Sequence, residues 1–125
     1  MNRSHVLFAG FVAIAASAPM AATMAQDISV TAGSHAKVVL DNDRVRVIEL
    51  NLPAGSTTGM HSHGDNLVVA ISGGMAVQTM ADGSTKSMNT KPGEVRWSDP
   101  VTHDTKNTGK AVTRVLVIEL KDAKR

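Results

Sequence analysis

The sequence predicts a single small all-β domain, a barrel or sandwich, on three observations. From residue 36 onward, short runs that alternate apolar and polar residues, or are continuously apolar, recur every 8–12 residues or so. Gly, Pro, Asp and Asn gather between the runs, where turns need them. No segment after residue 25 holds a helical apolar period for three turns. At 125 residues the chain has room for one domain and not two.

Residues 1–25 read as a secretory signal peptide. Arg3 supplies a short positive region, Val6 to Ala18 is apolar throughout, and Pro19 breaks the run. The small residues Ala21 to Ala25 then precede Gln26-Asp27, which places cleavage after Ala25, with Ala22 the second choice. Pro19 and the weakly hydrophobic alanines argue against an uncleaved membrane anchor. The absence of a twin arginine points to general secretion, and so to a periplasmic or secreted protein. Residues 26–125 form the mature domain. Residues 1–25 carry one basic residue and no acid, so the formal charge falls from +2 to +1 on cleavage.

The strands follow in order. Ala36 to Leu40 is closed by Asp41-Asn42-Asp43, and Arg44 to Leu52 alternates with a phase slip at Val47-Ile48 that reads as a bulge. Leu67 to Ile71 is continuously apolar and turns at Gly73-Gly74 into Met75 to Met80. Asp82-Gly83 reads as a two-residue hairpin before Ser84 to Met88. Pro92-Gly93 leads into Val95 to Trp97, and a further strand runs from about His103 to Lys106. Val112 to Leu120 closes the domain; its apolar run, like that of Leu67 to Ile71, suits a central strand.

Composition excludes several functions. With no cysteine there is no disulfide, thiolate metal site or cysteine nucleophile. Aromatic residues make up 2%, namely Phe8, Phe11 and Trp97, which leaves no platform for stacking single-stranded nucleic acid. No basic tract remains after cleavage, so neither nucleic acid nor an anionic membrane surface is an expected partner. The serines lie in no nucleophile motif.

The histidines carry the candidate chemistry. His61 and His63, at i and i+2 of an extended chain, project to one face, and Gly59 and Gly64 leave the backbone free to bend around them. His103 begins a later strand, whereas His35 stands alone and reads as a solvated imidazole. Three neutral imidazoles converging on a metal ion would leave positions open for water, substrate or dioxygen. Met60, Met75, Met80 and Met88 are scattered and read as core filler. Arg46 and Arg96 read first as outward charges; Arg96 is the better candidate for clamping a substrate carboxylate. Trp97 reads as core packing first and as pocket lining second, and Asn107 as a turn former beside Gly109.

Gly55, five residues, then His61-Ser62-His63 resembles the opening of the first cupin motif, and Gly74 falls at its closing glycine. His103, three residues, then Asn107 resembles the end of the second motif. The resemblance covers approximately Asp41 to Lys121 and implies a single cupin-type double-stranded β-helix, a jelly-roll barrel, over residues 26–125. It also implies His61, His63 and His103 as ligands to one divalent ion among Fe, Mn, Co, Ni, Cu and Zn. By the family's habit of pairing sheets, a homodimer is the expected assembly.

Two features depart from the family pattern. The position of its glutamate ligand falls on Leu67 or Val68, neither of which can ligate, and Asp65 is disfavoured as a substitute because Gly64 favours a turn. The stretch from Gly93 to His103 is one residue shorter than the pattern. A three-histidine site would keep the full charge of a divalent ion and so favour anions. The reading is an exported cupin with a small-molecule ligand in its barrel, an oxygenase or isomerase of a small anionic substrate. The alternative is a non-catalytic metal- or metabolite-binding module. A third reading is a structural barrel whose histidines satisfy one another and water.

Overall fold

In a computed structural model that describes residues 26–122, strands form where the sequence alternates, and the proposed signal peptide lies outside the described residues. The strands are β1 (Ala36–Asp41), β2 (Val45–Leu52), β3 (His61–His63), β4 (Asn66–Ala70), β5 (Gly74–Met80), β6 (Thr85–Thr90), β7 (Val95–Ser98), β8 (Val101–Asn107) and β9 (Thr113–Leu120). They make two antiparallel sheets, one in the order β1-β2-β9-β4-β7 and one in the order β3-β8-β5-β6. The last strand is thus the centre of the larger sheet, as its unbroken apolar run requires.

Pairing corrects two local expectations. The phase slip at Val47-Ile48 is not a bulge in β2, whose register with β9 is continuous from Val45↔Leu120 to Leu52↔Thr113. The irregularity lies in β1, where Val38 pairs Ile48 and Leu40 pairs Val47, leaving Val39 as the extra residue. The β5–β6 turn holds three residues rather than two: Met80 N–H bonds to Ser84 O, and Gly83 N–H returns to Met80 O. Gly83 sits at φ +84°, the left-handed position that closes such a loop.

Ahead of the sheets comes a helical turn that the sequence pattern did not announce. Asp27 caps α1 (Ile28–Thr31) by accepting the Ser29 N–H at 2.8 Å, and a 3₁₀ turn, Gly33–His35, follows. Ile28 enters the core with Ala32, Ile48, Leu50, Leu52 and Val117. That core is entirely aliphatic. Trp97 does not join it: on β7, at the edge of its sheet, the indole is 53% exposed and donates to Asp99 Oδ1 at 2.9 Å. Met60 and Met75 are also exposed, while Met80 and Met88 are half-buried against the barrel interior.

Candidate metal centre

Strand β3 places His61 and His63 on the inner face and turns Ser62 outward to the Thr102 hydroxyl. Its pairing with β8 sets His61 opposite His103, so strand register brings the third imidazole to the other two. All three side chains are buried. Ring centroids are 4.6 Å apart for His61 and His63, 4.8 Å for His61 and His103, and 5.6 Å for His63 and His103. One ring nitrogen from each lies within 4.8 Å of the others.

The donors suit a divalent ion. Gly59, at φ +73°, turns its carbonyl onto His61 Nδ1 at 2.7 Å; accepting that N–H fixes the tautomer and leaves Nε2 as the lone-pair donor. His63 Nδ1 and His103 Nδ1 are buried without a hydrogen-bond partner, an arrangement that costs folding free energy. Burial lowers the affinity of His61 for protons, and burial together with His61 and His63 pushes His103 down to about 4. Both are therefore neutral at physiological pH, the form that ligates.

The sequence-predicted residues divide around this cluster. His35 is half-buried in the 3₁₀ turn and takes no part. Asp65 is exposed in the bend after β3. Leu67 faces away from the interior, while Val68 lines it, so no carboxylate enters from β4. Asn107, fully buried, donates to Leu52 O and Ala111 O, both at 2.8 Å, and accepts from Gly109 N at 2.9 Å. That makes it the organiser of the β8–β9 turn.

The histidines stand on the wall of a cavity of about 390 Å³ between the sheets. Aliphatic side chains of β2, β4 and β9 form one wall, and Gln78, Lys86 and Thr105 lie on the other with the imidazoles. Contrary to the outward reading, Arg96 faces this cavity, with its Nε donating to Glu94 Oε1 at 2.8 Å. Trp97 reaches only the cavity margin. Lys86 also lines the cavity and has no ion pair among the described residues.

Arg46 points inward as well, because it shares its β2 face with Ile48, Leu50 and Leu52. Its guanidinium pairs with Asp27 and also donates to Ser29 Oγ at 2.9 Å. The pair holds the Asp27 carboxyl far below the usual carboxylate range. Reading Arg46 as an outward charge overlooked the face that its alternation assigns.

No protein-family model matches this sequence, and no curated protein is significantly similar to it. Solved structures are similar. A cupin domain from Bordetella pertussis Tohama I superimposes with a TM-score of 0.65 at 28% identity, covering 70% of this chain and 92% of that one. A cupin superfamily protein from Desulfitobacterium hafniense gives 0.55 at 21% identity, over 70% of this chain and 76% of its own. An RmlC-like cupin with a double-stranded β-helix fold from Methanocaldococcus jannaschii gives 0.56 at 15%, over 68% and 77%. The fold is the cupin double-stranded β-helix. On it, the three histidines form a cluster compatible with one metal ion.

Proposed function

We propose that this chain is an exported cupin that holds one divalent metal ion through His61, His63 and His103 and takes a small anionic molecule into the barrel. The observation that carries the reading is the buried cluster itself: three imidazoles, each offering one ring nitrogen within 4.8 Å of the others, on the wall of a cavity sized for a metabolite. Such an ion supplies Lewis-acid polarisation of a bound oxygen and open coordination positions. The chain's own contribution is positional. Gly59 fixes His61, the apolar wall excludes water, and Lys86 offers a cation to the ligand's charge. The lack of a carboxylate at Leu67 and Val68 leaves the donor set neutral, which favours an anion. Oxygenation or isomerisation of that anion is the proposed reaction. Export rests on the residue pattern of 1–25.

The test is reconstitution of the mature protein with each candidate metal, followed by oxygen uptake and product analysis over small carboxylates and diketones. Metal-dependent consumption of one substrate class supports an enzyme. Tight metal binding with no turnover across the panel would move the reading to a non-catalytic metal- or metabolite-binding module.

A further inference from the structure

Strand β9 alternates so that Val115, Val117 and Glu119 share one face. Glu119 is paired in register with Arg46 on one side and Asn66 on the other, which places a half-buried carboxylate on the inner face of the sheet, behind the cluster. Its Oε1 lies 3.9 Å from the Arg46 guanidinium and 3.7 Å from His63 Nδ1. Arg46 directs its hydrogen bonds elsewhere, to Asp27 and Ser29. His63 Nδ1, 3.7 Å away, is one of the two cluster nitrogens without a partner. A shift of under ~1 Å would bring it and Glu119 to hydrogen-bond distance.

We infer that Glu119 is a positioning residue for the metal centre: it accepts the Nδ1–H of His63, turns Nε2 toward the ion, and is kept available because Asp27 occupies Arg46. The part that concerns metal rests on the reading proposed above. Carboxylates behind ligating imidazoles fix the tautomer and raise the donor strength of the ring. Here that negative charge comes from the last strand, while the family's usual position on β4 is apolar at Leu67 and Val68. The cluster thus keeps a neutral donor set with one anion behind it. The N-terminal segment is tied to the same centre through Asp27.

The experiment has a metal-free arm and a metal arm. Long-range 1H–15N correlation of the metal-free protein should show His63 as the Nδ1–H tautomer; an Nε2–H tautomer overturns the inference. Cobalt(II) titration should then show weakening of about 10–100-fold in Glu119→Gln, with a shifted visible spectrum and a metal-free protein that still folds, by circular dichroism. Asp27→Asn should weaken binding in the same direction by less, because Arg46 is then released to Glu119. Wild-type affinity and spectrum in Glu119→Gln would overturn it. If the wild type binds no cobalt, the metal reading fails by itself, and the tautomer still decides whether Glu119 holds His63.

Discussion

His61 and His103 face each other across the β3–β8 ladder, with ring centroids 4.8 Å apart. His61 Nδ1 is satisfied by the Gly59 carbonyl, but the desolvated His103 imidazole is of little use to folding, since its Nδ1 has no hydrogen-bond partner. Replacing His103 by leucine should leave the metal-free protein at least as stable as wild type near neutral pH. The change removes an unsatisfied buried group, a cost of about 1–3 kcal/mol. Denaturant unfolding of the two metal-free proteins measures this, and a large loss of stability in the variant would show that His103 has a packing role instead.

Acid should destabilise the metal-free fold early. The folded-state value of His103 lies at about 4 against 6.5 for the free side chain, so the unfolded chain binds more protons in between. Stability therefore declines as pH falls from about 6.5 toward 4 and levels off for this group below that. The size is on the order of 3 kcal/mol. His103→Leu should flatten the profile; an unaltered slope between those limits would contradict the assignment.

Asn107, itself fully buried, ties three backbone groups together, at Leu52 in the interior and at Gly109 and Ala111 in the turn. Asn107→Ala strands two carbonyls and one N–H, and should cost about 2–4 kcal/mol. Thermal unfolding measures it. Asn107→Asp should fare no better, because a carboxylate cannot donate to the Leu52 and Ala111 carbonyls.

The strands were legible because alternation is a local signal. The central place of β9 could be read from its apolar run, and the convergence of His61 and His63 from their i, i+2 spacing. Register was not legible: the apparent slip at Val47-Ile48 arises because Arg46 takes an inward position, and the one unpaired residue, Val39, lies in the neighbouring strand, which only pairing reveals. Helix α1 is one turn long, too short for any period, and stands because Ile28 is buried and Asp27 meets Arg46. Trp97 reads first as core packing and second as pocket lining, whereas its parity on β7 turns it outward and it meets the cavity only at the margin. Glu119 could have been found by extending the inward parity of Val115 and Val117 by one step.

The orientation of β4 gives a sharper test of the absent carboxylate. Val68 lines the cavity and Leu67 does not, so Val68→Glu introduces a carboxylate facing the interior, and Leu67→Glu presents one to the outer face. Metal retention should change with Val68→Glu, and anion affinity of the metal-loaded protein should fall as the added charge offsets the ion. Leu67→Glu should leave both unchanged. Equal behaviour of the two variants in equilibrium dialysis would contradict the orientation.

The central claim is that the three buried imidazoles form one metal site. Elemental analysis of residues 26–125, purified and then reconstituted with divalent metals, addresses it directly beside the His61→Ala and His103→Ala variants. The expected result is one equivalent of a divalent metal per wild-type chain and a loss of most of it in either variant. No stoichiometric metal in the wild type, or equal metal in all three proteins, would contradict the assignment.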